Sequence, residues 1–338
     1  MTVTVTKKPK TAIIIPCYKV AGKIEDIISR IGPDISRIYC IDDACPAGSG
    51  DVLDRLAHKE TRMTVLHHAV NGGVGASMVT GYRAALNDGM DILVKLDGDG
   101  QMPPELVPFL TEPICEGQAD YVKGNRFFNI TSLRTMPRSR MFGNIILSFM
   151  TKISTGYWHL FDPVNGFTAL HSGVARELGL EKLSPRYFFE SDMLFRLSII
   201  RANIVEVPME SSYEDEVSNM SAFTSALTFP FLHLRNFLKR LGYSYFLRGF
   251  SLASLSLVVG IILLVFGLAV GITAWTHSYN SGIPATTGTV MLAALPFLLG
   301  VEMLFNFLNF DISNVPKTPI HKYLDRIRVL RTRKDDLK

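Results

Sequence analysis

The first half of the chain alternates short apolar runs with segments of helical spacing. Thr11–Pro16 reads as a β-branched, fully apolar strand, and residues 22–31 as a short amphipathic helix. The strand pattern recurs at Arg37–Ile41, Met63–Leu66, Ile92–Leu96 and Ala119–Lys123. Helical segments lie between, near 51–59, at Val74–Leu86 and at Pro103–Glu116, the last with proline in its first turn. Strands and helices in this alternation predict an α/β fold with a mostly parallel sheet. Beyond residue 124 the rhythm loosens. An apolar helix is expected at Ile145–Ile153, a strand at Phe167–Leu170, a helix at Phe188–Arg201 and a strand at Ile204–Val207.

From Phe223 the pattern changes again. Phe223, Leu227, Phe231, Leu234, Leu238, Leu241 and Tyr245 fall at three- to four-residue spacing, with Arg235, Lys239, Arg240 and Arg248 off that stripe. Such a helix either packs on a core or lies in a membrane interface, apolar face down, and its position just before a span favours the interface. No Asp, Glu, Lys or Arg occurs between Arg248 and Glu302. Gly249–Trp275 is long enough to span a bilayer, and residues 289–310 form a second span, bent at Pro296 and interrupted by Glu302. Near one end of its span, Glu302 either pairs with a neighbour or, as an acid inside a span, is a functional candidate. The expected organisation is a globular domain over 1–221, an amphipathic juxtamembrane stretch over 222–248, two spans within 249–310 and a basic tail over 311–338. Basic residues flank both spans while the short loop between them has no charge. The positive-inside rule then puts both termini in the cytoplasm, as in a bacterial inner-membrane protein.

Composition adds limits. The 338 residues are 47% hydrophobic with a net charge of +4. The basic residues gather beside apolar segments, so the expected partner is an anionic membrane surface and not nucleic acid. Cys17, Cys40, Cys45 and Cys115 have no paired spacing and no accompanying histidines, which argues against a disulfide framework or a zinc site and for a reducing compartment. No signal peptide is expected, since the run Ala12–Ile15 stops at Pro16.

The candidate chemistry sits at strand ends. Pro16-Cys17-Tyr18, Asp42-Asp43 and Asp97-Gly98-Asp99-Gly100-Gln101 all follow predicted strands, and α/β sheets bind ligands beyond their carboxyl ends. Two carboxylates at i and i+2, with glycines to turn the backbone, present hard oxygen ligands suited to Mg²⁺ or Mn²⁺ gripping a diphosphate. Asp-Gly pairs also make hairpin turns. A calcium loop would want glutamate where Pro108 stands. Asn71-Gly72-Gly73-Val74-Gly75-Ala76 opens a helix either for close packing or as a phosphate cradle; it lacks the dinucleotide fingerprint. Arg134, Arg138 and Arg140 are either solvated surface or a grip on a lipid phosphate.

With these residues in view, the chain resembles the inverting glycosyltransferases of family 2, and among them the enzymes that make polyprenyl-phosphate sugars. The resemblance runs from Thr11 to about Ser221. It is carried by Ile14-Ile15-Pro16-Cys17-Tyr18, Ile41-Asp42-Asp43, Asn71–Ala76 with Gly81, Asp97–Gln101, Gly124-Asn125-Arg126, Arg140 before Gly143-Asn144, and Asp162 before Gly166-Phe167. It implies a GT-A, Rossmann-like fold and transfer of a hexose from a nucleotide sugar, UDP-glucose or GDP-mannose, to undecaprenyl or dolichyl phosphate. It further implies that Pro16, Tyr18, Asp42, Asp43 and Asp97 bind the nucleotide sugar and that Asp97, Asp99 and Gln101 gather the metal. Arg126, Arg138 and Arg140 would meet the lipid phosphate, with Asp99, Asp162 and Arg126 as the catalytic set. The chain departs from the family where Tyr-Asn-Glu is usual and Tyr18-Lys19-Val20 stands. Its late Arg-x-x-Gly-x-Ser-Lys element is replaced near Tyr213–Ser218. The absence of Gln-x-x-Arg-Trp argues against a processive polysaccharide synthase. Two other readings stay open: transfer to a lipid hydroxyl (ceramide or diacylglycerol) with Asp162 as base, and a catalytically silent membrane scaffold. Assembly into a homo-oligomer is likewise open.

Overall fold

The computed structural model describes residues 8–128, 138–209 and 222–335, without the side chains of 138–140, 222–226, 329 and 331–335. It divides into two compact units. One comprises residues up to Asn236 together with Pro316–Lys338, the other Phe237–Val315.

The first unit is built on a seven-stranded sheet of β1 (Thr11–Cys17), β2 (Arg37–Asp42), β3 (Met63–His67), β4 (Ile92–Lys95), β5 (Tyr121–Asn125), β6 (Thr168–His171) and β7 (Ile204–Pro208), in the order 3-2-1-4-6-5-7. Helices α1 (Ile24–Ser29), α2 (Ser49–Ala57), α3 (Val74–Asn87) and α4 (Val107–Cys115) connect the strands. Ile13, Ile15, Ile38, Val94 and Val122 are at most 1% exposed within one core cluster; burying each such side chain stabilises the fold by roughly 1.5–3 kcal/mol. The face packed on α3 is closer still: a Cβ on Gly81 would collide with Ile14.

The mostly parallel expectation holds except at β6, which runs antiparallel to both β4 and β5. The chain after β5 makes a long excursion through α5 (Arg138–Thr155) and re-enters the sheet from the carboxyl edge. That reversal carries Asp162–Phe167 onto the edge where β4 and β5 end. The helix expected from Pro103 begins as a 3₁₀ turn at Pro104–Leu106, because prolines at 103, 104 and 108 withhold backbone donors. Among the described residues, the elements that escaped the sequence reading include α6 (Ser172–Glu177), a 3₁₀ turn at Leu180–Lys182 and, after α7 (Phe189–Ile199), the C-terminal helix α11 (His321–Asp335). The basic tail thus carries a helix over His321–Asp335. Asp120, fully buried, accepts hydrogen bonds from the backbone N–H groups of Asn203, Ile320 and His321 and lies 2.8 Å from His321 Nδ1. A buried carboxylate thus caps the start of α11 from within the sheet domain.

Helix α8 (Ala222–Leu241) begins in the first unit. There His233 lies 2.8 Å from Ser154 Oγ, and Asn236 Nδ2 donates to Asp192. The second unit holds two helices long and apolar enough to cross a membrane, α9 (Leu252–Ser281) and α10 (Thr287–Ser313), with about 11% of each apolar window buried. They run longer than the spans expected from composition because polar Thr and Ser residues extend both. Backbones meet at glycines: a Cβ on Gly267 would lie 2.6 Å from Phe297 N, and one on Gly300 2.6 Å from Leu264 N. Pro296 stays inside a continuous helix. Glu302 is exposed on α10. Between α8 and α9 a π-helical turn, Gly242–Leu247, carries Tyr245, whose hydroxyl donates to Asp311. Arg240 forks onto the same carboxylate at 2.6 and 3.0 Å.

Candidate active site

Parallel pairing of β1 with β2 and β4 aligns their carboxyl ends, with Cys17 opposite Asp42 and Ile14 opposite Lys95. Pro16 and Tyr18, Asp42 and Asp43, and Asp97–Gln101 therefore stand along one edge. The Asp97–Gln101 segment is a turn leaving a central strand, not a hairpin. Gln101 N donates to Asp99 Oδ1 at 3.0 Å, and Gly100 takes a φ of 82°, which glycine adopts without steric cost. Asp97 and Asp99 are partly exposed, whereas Lys95 beneath them is 1% exposed.

Lys95 Nζ lies 2.6 Å from Asp97 Oδ1 and 3.3 Å from Glu190 Oε1 on α7. Burial alone would pull its pKa down, but the two carboxylates outweigh burial and hold it above the ordinary lysine value. Lys123, at the matching place in β5, is also fully buried and donates to Asn165 O at 2.6 Å. Burial pulls its pKa to about 8 against the opposing charge of Glu190 and Asp162.

Asp43 serves the glycine-rich turn: its two oxygens accept from Gly72 N at 2.8 Å and Gly73 N at 2.7 Å, and His68 Nδ1 lies 2.8 Å from Oδ1. The turn itself packs closely. A Cβ on Gly75 would collide with Ser184 O, and Ala76 N donates to Pro185 O at 3.0 Å. Packing is thus the role the glycines visibly perform. Asp42 accepts from Cys45 N at 3.2 Å and lies 3.2 Å from His67 Nδ1. The carboxylates of Asp42 and Asp54 raise the His67 pKa above its usual value. Cys45 Sγ accepts from Lys19 N at 3.1 Å, and Lys19 holds a φ of 60°.

On the other side of β4, Asp162 is fully buried and grips Arg126 with two parallel bonds, Nε to Oδ2 at 2.8 Å and Nη2 to Oδ1 at 3.0 Å. Glu206 on β7 anchors the turn, accepting from Phe161 N and Asp162 N at 2.8 Å each and from Asn125 Nδ2 at 3.1 Å. Burial raises the Glu206 pKa despite those bonds. Arg138 and Arg140 lie on the first turn of α5, and their side chains fall outside the described residues, as do Arg134 and Tyr213–Ser218 entirely.

Sequence reasoning passed over Lys95, Lys123 and Glu206. The signal was present for the lysines: a charge inside Ile-Leu-Val-Lys-Leu or Tyr-Val-Lys-Gly demands a buried partner. Among the described residues no three His, Cys, Asp or Glu side chains converge into a metal cage. Two carboxylates on an open turn fit instead a hard cation that shares its coordination with phosphate oxygens and water.

A seven-stranded sheet of this order, with an acidic turn on its ligand edge, defines a GT-A-like glycosyltransferase fold. The sequence model of "Glycosyl transferase family 2" matches residues 12–179. An undecaprenyl-phosphate mannosyltransferase of Micrococcus luteus is 32% identical over 199 residues, covering 58% of this chain and 81% of that one. A polyprenol monophosphomannose synthase of Mycolicibacterium smegmatis is 27% identical over 223 residues, covering 64% and 83%. The solved glucosyl-3-phosphoglycerate synthase of Mycobacterium tuberculosis, in complex with Mn²⁺, UDP and its product, superposes with a TM-score of 0.52 at 15% identity, covering 70% and 81%. This chain belongs to glycosyl transferase family 2. It is a glycosyltransferase, and it resembles the enzymes that make polyprenyl-phosphate sugars.

Proposed function

We propose that this protein moves a hexose from a nucleotide diphosphate sugar, UDP-glucose or GDP-mannose, to a polyprenyl phosphate. The reading is carried by one observation: the Asp97–Gln101 turn and the Asp162-bound Arg126 occupy the same carboxyl edge of the sheet, an acidic site beside a cationic one. Asp42, Asp43, Pro16 and Tyr18 frame the nucleoside side, and Asp97, Asp99 and Gln101 would hold Mg²⁺ or Mn²⁺ with the diphosphate. The Mn²⁺ and UDP in the mycobacterial synthase support that assignment by likeness of fold. A bound divalent cation would offset the charge that collects on the departing nucleoside diphosphate.

The acceptor phosphate is already ionised near neutral pH, so its oxygen attacks the anomeric carbon without a strong base. Arg126 orients that phosphate, and Asp162 fixes the guanidinium plane. Attack from the face opposite the leaving group inverts the anomeric centre. With no exposed surface and both oxygens bonded to Arg126, Asp162 is poorly placed to deprotonate a lipid hydroxyl. This favours phosphate over ceramide or diacylglycerol as acceptor.

The membrane assignment rests on three features. Two helices are long and apolar enough to span. Residues on either side of that hairpin, up to Asn236 and from Pro316, fold into one unit, so both ends of the hairpin share one side of the membrane. The basic tail makes that side cytoplasmic. The globular unit also exposes an apolar surface: Phe142, Ile145, Ile146 and Phe149 on α5, and Leu227, Phe231 and Leu234 on α8, each 51–68% exposed. Such a patch suits a bilayer interface.

The test is a panel of UDP- and GDP-sugars offered to full-length protein in detergent with Mn²⁺ and undecaprenyl phosphate, followed by mass measurement of the lipid. A phosphate-linked hexosyl lipid from at least one donor supports the reading. Transfer only to ceramide or diacylglycerol, or no transfer from any donor, would refute it.

A further inference from the structure

Lys95 is out of place on energetic grounds. It lies in a central strand between Leu93, Val94 and Leu96, all fully buried, with its ammonium group inside. Burying an ion pair costs several kcal/mol of desolvation per charge, and an apolar side chain would serve stability at least as well. What the lysine supplies is placement. Residues i and i+2 project to the same side of an extended chain, so Lys95 reaches Asp97 directly. Its ammonium holds Asp97 Oδ1 at 2.6 Å and Glu190 Oε1 of α7 at 3.3 Å. Gly166 closes the remaining space, for a Cβ there would collide with Lys95 Nζ and lie 2.6 Å from Asp97 Oδ2. The Asp97 carboxylate is therefore fixed from two sides while Asp99 stays on the open turn.

We propose that Lys95 is a positioning residue for the nucleotide-sugar donor, acting through Asp97. By tying that carboxylate to α7 it sets where the diphosphate and its cation dock. It also cancels the Glu190 charge, which would otherwise add to Asp97, Asp99 and the diphosphate in one negative cluster. The inference rests on the reading of Asp97–Gln101 as the donor site.

The test measures equilibrium binding of UDP and of GDP, each with Mn²⁺, to the full-length protein in detergent, with unfolding temperature recorded alongside. Lys95→Met is expected to weaken nucleotide binding about tenfold or more, the scale set by misplacing a site group by about an ångström. Its KM for the lipid acceptor should not move. The double variant Lys95→Met/Glu190→Leu removes the buried ammonium together with its partly buried partner and should regain folding stability even where the single variant does not. If Lys95 positions Asp97, the double variant still binds nucleotide weakly. If Lys95 merely supports the fold, binding returns with stability, and the proposal fails. Failure of the unaltered protein to bind either nucleotide with Mn²⁺ would instead sink the donor-site reading, and this inference with it.

Discussion

Asp162 holds Arg126 through two parallel hydrogen bonds, and Asp162 is itself held by a strand 44 residues further along the chain, through Glu206. The guanidinium plane is therefore set by the sheet and not by its own loop. Asp162→Asn keeps the shape and removes the charge that orients Arg126. It should raise the KM for lipid phosphate by about tenfold to a hundredfold, with the donor KM little changed. Initial rates against acceptor concentration check this. A general-base role would instead lower kcat and leave the acceptor KM where it is.

Lys19 carries a left-handed backbone, φ 60°, in the segment where the family usually has asparagine. Asparagine tolerates that region far better than lysine. Lys19→Asn should stabilise the globular unit by about 0.5–1 kcal/mol, since its backbone N–H can still reach Cys45 Sγ. Denaturant unfolding checks the sign.

His233 is buried between Ser154 and Phe188, and among the described residues Nε2 has no hydrogen-bond partner. Burial lowers its pKa to about 4 from an ordinary 6.5. As pH falls below the ordinary value the unfolded chain takes up a proton that the folded one refuses. Stability is thus whole above about 6.5 and is lost progressively down to about 4, on the order of 3 kcal/mol in all. His233→Gln should flatten this part of the acid profile in thermal unfolding between pH 7 and 4.5. An unchanged slope would show that His233 is not its source.

Asp120 gathers the N–H groups of Asn203, Ile320 and His321 in a fully buried setting. Asp120→Ala leaves those donors unsatisfied, at roughly 2–4 kcal/mol. The C-terminal helix should then detach, and trypsin should cut at Lys322 and Arg326 while the sheet domain persists. A tail that stays protected would contradict the capping role.

The layout of strands and helices was legible because buried parallel strands are continuous apolar runs, and the two long C-terminal helices because no charge falls between Arg248 and Glu302. The antiparallel β6 was not, since four residues of Thr-Ala-Leu-His carry no sign of direction. Strand direction is set by the excursion that precedes it. The carboxylates of the edge were readable as residue types at strand ends. Their inner partners were not: the Lys95–Glu190 pair joins residues 95 positions apart, and the Asp162–Glu206 contact depends on which strands are neighbours. The helix in the basic tail was not legible, because it shows no apolar stripe. What docks it is a carboxylate two hundred residues earlier.

The central claim is that Asp97–Gln101 is where the sugar donor is activated, and Asp99→Ala tests it most directly. The substitution removes the carboxylate on the open turn and leaves the Lys95–Asp97 pair in place. Transfer of labelled hexose from the preferred donor to undecaprenyl phosphate, with Mn²⁺ present, should fall by at least about a hundredfold while the unfolding temperature stays put. Undiminished transfer by a folded Asp99→Ala protein would contradict the account.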